Sequence, residues 1–311
     1  MKGLNIISTG SALPKKKVTN DDLRKIVDTS HEWIVTRTGI CSRYICEEET
    51  CSSLAIEAAR NAVDKAGILM EDIGVVVVAT ATPDYAFPSV ACQVQKALNL
   101  PTDTMAFDIS AACSGFLYGL RVCKGLLEGN SKKYALLIGS EQMSRITDFT
   151  DRSTCVLFGD GAGAAVLELS DKQFAHKAWA DGNVDVLYCN GVGQEDNKIH
   201  MEGQEVFKFA VRVIKEGIDA VLEEAGLDFE DVDYVVCHQA NERIIDHVSK
   251  KYKAPEGKFY KNIKDYANTS AASIPIALDS MYENEILKKG MKIVLVGFGA
   301  GFTWSSAIIT I

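Results

Sequence analysis

Three pairs of segments in this 311-residue chain repeat one another, in the same order and at almost the same spacing. AVDKAGILMEDIGVVVV (62–78) is echoed by VLEEAGLDFEDVDYVVC (221–237); Ala225 follows Ala66 by 159 positions. SAACSGFLYGL (110–120) is echoed by NTSAASIPIAL (268–278), and YALLIG (134–139) by KIVLVG (292–297); both offsets are 158, as 268 minus 110 and 292 minus 134 give. One offset shared by three ordered pairs marks a duplicated unit, and a duplicated unit restricts the fold to two like halves. In the first pair a helical pattern stops at Ala-Gly, where glycine suits a left-handed helix end. An acidic turn follows, then an apolar strand.

Each unit reads helix, buried strand, strand, helix, strand. The short all-apolar runs Val75–Val78, Ala135–Ile138 and Ile293–Val296 suit strands covered on both faces. Alternation of such strands with helices predicts an α/β layered fold. The expected halves are residues 1–170 and 171–311, packed about a pseudo-two-fold axis, with functional groups at equivalent strand ends.

Hydrophobic residues make up 47% of the chain, enough for a sizeable core. The net charge of −9 and pI near 5.2 argue against nucleic acid as a main partner, since phosphate binding needs a basic surplus. No apolar run approaches the ~20 residues that cross a bilayer, and MKGLNIISTGSALPKKKV lacks a signal-peptide core. A cytoplasmic protein that does not enter the membrane is expected. The nine cysteines then read as reduced thiols. Cys41, Cys46 and Cys51 are evenly spaced, but with no CxxC or paired histidine beside them they read as packed thiols and not as a metal site.

One cysteine stands apart. Cys113 follows the apolar segment Ala106–Ile109 and precedes the amphipathic run Gly115–Leu127, which places it at a strand-to-helix turn. The partial positive charge of a helix N-terminus is expected there to lower the thiol pKa. Its small neighbours Ala111, Ala112, Ser114 and Gly115 leave room for a substrate. Asn268 opens the second-half copy of the same segment, three positions from the equivalent of Cys113, and His238 directly follows the strand Tyr234–Cys237. The glycine-rich stretches FGDGAGAAV (158–166) and GFGAGFTW (297–304) fit neither dinucleotide nor phosphate-loop spacing. They read as turns whose backbone N–H groups face the site, one of them forming an oxyanion hole with the N–H of Cys113.

Nearly end to end, the chain resembles the β-ketoacyl-acyl-carrier-protein synthase III family. The resemblance is carried by WIVTRTGI (33–40), YAFPSVACQVQ (85–95), DISAACSGF (108–116), TDRSTCVLFGDGAGAAV (150–166), MEGQEVFKFAV (201–211), HQANERII (238–245), NTSAASIPIAL (268–278) and GFGAGFTW (297–304). It implies a thiolase-like five-layer αβαβα fold, a homodimer, and a two-step acyl transfer without metal or redox cofactor. By motif, Cys113 is the nucleophile with His238 and Asn268 as partners, and Cys113 and Ala300 supply the oxyanion-hole amides. Trp33 and Arg152 would hold the adenine of coenzyme A, with Thr29, Arg37, Gln204 and Asn241 nearby. Phe158, Ile199, Met201, Phe207 and Phe302 would form the acyl pocket, joined by Phe87 of the dimer partner. Lys208, Arg212, Gln239, Ala240, Asn241, Arg243, Lys250 and Lys251 match the family's docking face for the acidic carrier protein, a local basic patch on an acidic enzyme.

The resemblance implies an initiating condensing enzyme of type II fatty acid synthesis, joining acetyl or short branched acyl-CoA to malonyl-carrier protein. Ala300 stands where many members have glycine, and Gln204 where many have asparagine. Three other readings compete. A same-fold starter synthase of a polyketide or biotin-precursor pathway would keep the three residues and change the pocket. A papain-like hydrolase shares the order Cys, His, Asn but has no duplication. A non-catalytic carrier-binding subunit would lack the active cysteine.

Overall fold

The computed structural model describes residues 2–191 and 193–311. The strands that the first half gives to its five-stranded sheet are β1 (Gly3–Ala12), β2 (Ile73–Ala79), β3 (Met105–Ile109), β4 (Tyr134–Glu141) and β5 (Gly161–Ser170). Those of the second are β6 (Phe174–Asn183), β7 (Tyr234–Cys237), β8 (Phe259–Tyr260), β9 (Lys292–Gly299) and β10 (Gly301–Thr310). The first sheet runs β1-β5-β4-β2-β3 and the second β6-β10-β9-β7-β8. The two orders are identical when five is added to each strand number. β2 pairs in parallel with β3 and β4, as β7 does with β8 and β9; the remaining pairs are antiparallel.

Period-two side-chain alternation makes each central strand face two ways. Val75, Val77, Ala135 and Leu137 point into one cluster, whereas Val76, Val78, Leu136 and Ile138 point into another. The first cluster holds helices Gly115–Glu128 and Ser273–Glu283, through Phe116, Leu117, Leu120, Ile274 and Leu278, sandwiched against Ile293 and Leu295 of the second sheet. The outer face of sheet one is covered by helices Cys51–Ala66 and Val90–Ala97. The outer face of sheet two is covered by Gly203–Ala225 and Glu242–Lys251. Helix, sheet, helix, sheet, helix gives the five layers expected.

The helix ends anticipated at Ala-Gly occur at Gly67 (φ 62°) and Gly226 (φ 64°). Each is followed by a single acidic turn, Met70–Asp72 or Phe229–Asp231, before β2 or β7. The repeat pattern did not reveal the helices Val90–Ala97 and Glu242–Lys251, because neither belongs to a matched segment. No described helix is long and apolar enough to cross a membrane.

Where the halves meet, the packing tolerates only small residues. A Cβ on Gly139 would lie 2.3 Å from the Ala271 carbonyl oxygen, and one on Gly115 would lie 3.0 Å from the Ala79 Cβ. Backbone cannot yield as a flexible side chain does. Gly139→Ala is therefore expected to cost on the order of 1–3 kcal/mol in denaturant unfolding. Gly125→Ala, inside helix Gly115–Glu128 with open space around it, is expected to stabilise by ~0.5–1 kcal/mol.

Candidate active site

The chain leaves β3 and makes one tight turn, Ala112–Ser114, before the helix that begins at Gly115. Ala112 sits at φ 45° and its second-half equivalent, Ser270, at φ 50°. The left-handed region is costly for residues with a Cβ, so surrounding bonds must hold both turns. Around Cys113, Ser114 Oγ lies 2.8 Å from both the Ala111 carbonyl and Thr303 Oγ1, and Thr303 Oγ1 donates to Ala111 O at 3.1 Å. The Cys113 turn of one half is thus tied to the hairpin β9–β10 of the other. A Cβ on Gly299 would lie 2.7 Å from the Cys113 amide nitrogen; glycine there lets the end of β9 lie against Cys113, with Ala300 next in the chain.

A cavity of about 310 Å³ opens beside this turn, and Cys113, His238, Asn268 and Ala300 all line it. Asn268 Oδ1 accepts from the Ser270 N–H at 2.9 Å, which leaves the amide NH₂ as the donor for a ligand. His238 is buried and packs its ring edge-on against Phe298, centroids 5.4 Å apart. Its Nδ1 lies 2.7 Å from Ser273 Oγ, which also accepts from the Gln239 N–H at 3.4 Å. When the Ser273 hydroxyl gives its hydrogen to Nδ1 and accepts from Gln239, the imidazole carries its own proton on Nε2. Burial pushes the imidazole down to about 3. It is therefore a neutral hydrogen-bond donor at working pH.

The Cys113 thiol departs from the sequence expectation. Burial pushes it up to about 12, and the Glu141 carboxylate adds to the rise. The helix start is a local effect worth tenths of a kcal/mol to about 2 kcal/mol; loss of water around a thiolate outweighs it. Hydrogen bonding of the sulfur with Ser270, whose Oγ lies 3.3 Å from Sγ, and with the backbone N–H of Cys113 opposes this without reversing it. Ser270 in turn donates to Glu141 Oε1 at 2.9 Å. Neither Ser270 nor Glu141 stood out in the sequence. The only signal was a glutamate closing the apolar strand YALLIGSE.

Four of the expected acyl-pocket residues, Phe158, Ile199, Met201 and Phe207, line the cavity, together with Leu187, Tyr188, Cys189, Met143 and Ile146, which had not been anticipated. Phe302 does not line it: its ring is stacked on Phe209 at 3.9 Å, within the outer core of sheet two. Phe87 is 86% exposed on the outside of the chain. Trp33 and Arg37 reach the rim, and the guanidiniums of Arg37 and Arg152 lie 4.3 and 4.8 Å from the Trp33 ring centroid. Asn241 caps helix Glu242–Lys251 by accepting from the Arg243 N–H and donates to the Arg37 carbonyl. Thr29, Arg152 and Gln204 are not among the lining residues, although Ser153 and Gly203 beside two of them are.

The comparisons with known proteins agree with this geometry. Models of the 3-oxoacyl-[acyl-carrier-protein] synthase III family match residues 107–182 and, for its C-terminal part, 222–311. A β-ketoacyl-[acyl-carrier-protein] synthase III of Rhizorhabdus wittichii is 47% identical over 318 residues, 99% of each chain. The chain belongs to the β-ketoacyl-acyl-carrier-protein synthase III family. It is a condensing enzyme, an acyltransferase of fatty acid synthesis. The crystal structure of the synthase III of Aquifex aeolicus superposes with a TM-score of 0.94 at 44% identity, covering 99% of this chain and 100% of that one. The priming β-ketosynthase of the R1128 polyketide pathway gives 0.94 at 33%, covering 100% and 96%. The expected thiolase-like fold is thereby shown.

In this member of the synthase III family the surface beside the cavity differs from the sequence expectation at one position. Gln239 is buried: its amide donates to the Cys237 carbonyl at 2.8 Å and its oxygen accepts from the N–H groups of Asn262 and Ile263. A side chain so engaged has no face for a carrier protein; it pins the loop after β7. Ala240, Asn241 and Arg243 reach the cavity rim. Lys208 and Arg212 pair with Glu205 and Glu216 of their own helix. Among the described residues no ion pair involves Arg243, Lys250 or Lys251.

The neutral His238 has a consequence for stability. Unfolded, the imidazole titrates near 6.5; folded, near 3. Between these values the unfolded chain holds the extra proton, so stability falls as pH falls through that window. His238→Gln is expected to unfold with a pH dependence shallower by up to one proton between pH 6.5 and 4, measured by denaturant titrations at stepped pH.

Proposed function

We propose that this enzyme starts fatty acid synthesis by acylating Cys113 from a short acyl-CoA and condensing that acyl group with malonyl-carrier protein, releasing coenzyme A and carbon dioxide. The observation that carries the reading is the convergence on one cavity of Cys113 from the turn after β3, His238 from the end of β7, and Asn268 from the loop before turn Ser270–Ala272. The Cys113 sulfur attacks the thioester carbonyl, and the amides of Cys113 and Ala300 hold the oxygen as it becomes anionic. In the second step the Nε2–H of His238 and the amide NH₂ of Asn268 donate to the malonyl thioester oxygen. Charge grows on that oxygen as carbon dioxide leaves, so fixed neutral donors lower the barrier selectively. The enolate carbon then attacks acyl-Cys113.

Coenzyme A enters past Trp33 and Arg37. In the free enzyme Arg152 rests on Trp33, so an adenine sandwiched between them requires Arg152 to swing away from the ring. Thr29, Gln204 and Asn241 complete this mouth. The unpaired cations Arg243, Lys250 and Lys251, with Lys208 and Arg212, form the docking face for the acidic carrier. Exposed Tyr85 and Phe87 support a homodimer whose partner buries them. The halves divide between residues 170 and 171, supported by sheet one closing at Ser170 and sheet two opening at Phe174. The enzyme works in the cytoplasm without metal or redox cofactor; the reaction needs neither.

The likeness to the R1128 priming ketosynthase favours a second reading, the same chemistry feeding a polyketide. A panel of acetyl and branched acyl-CoA primers with malonyl-carrier protein, read by product mass, separates the two.

Intact-mass analysis after mixing with acetyl-CoA should find one acetyl adduct, on Cys113, and none in Cys113→Ala. His238→Ala and Asn268→Ala should keep the adduct yet lose condensation by on the order of 10²–10³-fold each. Normal condensation by Asn268→Ala would contradict its role.

A further inference from the structure

The thiol of Cys113 must lose a proton when it is acylated, and the residues around it restrict where that proton goes. His238 is a poor acceptor for it: burial makes the imidazole weakly basic, and no hydrogen bond joins it to Sγ among the described residues. Asn268 offers an NH₂ to the cavity. The remaining contact of Sγ is Ser270 Oγ at 3.3 Å, and behind Ser270 stands Glu141 at 2.9 Å.

Glu141 is fully buried at the end of β4. Its two oxygens are treated unequally. Oε2 accepts from Thr80 Oγ1 at 3.3 Å, the Ala81 N–H at 3.1 Å and Thr82 Oγ1 at 2.7 Å, whereas Oε1, among the described residues, accepts from Ser270 alone. Three donors fix the carboxylate and leave one oxygen aimed at the nucleophile through a single hydroxyl. A buried carboxylate bonded in this way is far more than the fold needs to close a strand.

We propose that Ser270 and Glu141 form a proton relay for Cys113: the thiol hydrogen passes to Ser270 Oγ while the Ser270 hydroxyl hydrogen passes to Glu141 Oε1. The inference rests on Cys113 being the acyl acceptor. Before acylation the site holds Cys113-SH and Glu141-COO⁻. Attack on the thioester gives acyl-Cys113, Glu141-COOH and a coenzyme A thiolate, which is protonated by solvent. When the enolate carbon displaces the Cys113 thiolate, the proton returns from Glu141 through Ser270 and restores the starting state. The proton transfer neutralises Glu141 as the negative charge moves to the departing coenzyme A thiolate, so the number of charges does not rise and no separated ion pair forms in the pocket. A neutral Glu141 also meets the anionic malonyl group in the second step. Ser270 touches the reacting sulfur and is a catalytic residue; Glu141 acts through it as a positioning residue. The raised pKa of the Glu141 carboxyl, driven by burial, makes it a better proton acceptor.

Two other titratable groups lie near: Cys51, which contacts Thr80, and His238, which lines the same cavity. Cys51, at the start of helix Cys51–Ala66, lies 3.4 Å from Thr80 Oγ1 and is pushed up to about 12 by burial. Both Cys51 and His238 are neutral at working pH. Asp84 caps the same helix by accepting from the N–H groups of Cys51 and Ser52.

The test is the rate of Cys113 acylation by acetyl-CoA, followed by rapid quench and intact mass from pH 6 to 10, in the full-length enzyme and two variants. Glu141→Gln keeps the shape and removes the proton acceptor. Ser270→Gly removes the hydroxyl at a residue whose φ of 50° glycine adopts freely. Both are expected to acylate on the order of 10²-fold more slowly at pH 7 and to recover about tenfold per pH unit, as solvent replaces the relay. If Glu141 serves only as a nearby charge, its removal eases thiol ionisation and Glu141→Gln acylates as fast or faster; that result overturns the relay. So does a loss that fails to recover at high pH, which marks damage to the fold. Absence of any Cys113 adduct in the wild type would instead overturn the nucleophile assignment itself.

Discussion

The structure depends on one close approach: the turn that opens helix Gly115–Glu128 and its copy at Ser273–Glu283 meet back to back across the pseudo-two-fold axis. Gly139, Gly115, Ala79 and Ala271 leave room for no larger side chain there. Apolar burial on both sides of each sheet holds the five layers together, but this contact sets their register. Because the layers lock at that point, the ends of β3, β4, β7 and β9 arrive around a single cavity, and a sulfur from one half faces an imidazole and a carboxamide from the other.

The two turns share one backbone shape and have diverged in use. Ala112 and Ser270 are equivalent, both with positive φ; the first precedes Cys113, and the second presents a hydroxyl to its sulfur. Strain of this kind persists only where neighbours over-determine it. Thr303 and Ser114 hold one turn, Asn268 and Glu141 the other. The pseudo-symmetry thus supplies two like platforms, and substitution at equivalent positions turns one into an attacking group and the other into its surroundings. Withdrawal from water favours a neutral imidazole and a neutral thiol and raises the pKa of the Glu141 carboxyl, while hydrogen bonds from Thr82, Ala81, Ser270 and Thr80 work the other way.

Much of this was legible in the sequence. The shared offset predicted two like halves, Gly67 and Gly226 predicted the helix ends, and the small residues around Cys113 predicted a strand-to-helix turn. These are local or repetitive signals, which a sequence displays directly. What was not legible depends on residues far apart in the chain. The thiol pKa was expected to fall because a helix start is visible locally; it rises because burial is a tertiary property. Ser270 and Glu141 are 129 positions apart, and nothing in either segment announces the other. Gln239 sits in a motif beside exposed residues, yet the loop turns its amide inward. Phe302 follows a glycine-rich turn that was expected to face the pocket, but its ring finds a better partner in Phe209.

In the proposed reaction, backbone amides from both halves, those of Cys113 and Ala300, converge on one acyl oxygen. Isotope-edited infrared spectroscopy of enzyme acetylated with carbonyl-¹³C acetyl-CoA tests it directly. Two hydrogen bonds in a dry pocket polarise the carbonyl, so its stretch should fall below that of the same thioester in water. A frequency at or above the aqueous value would mean that no such pair of donors meets the acyl group, and that the halves do not share a reaction centre.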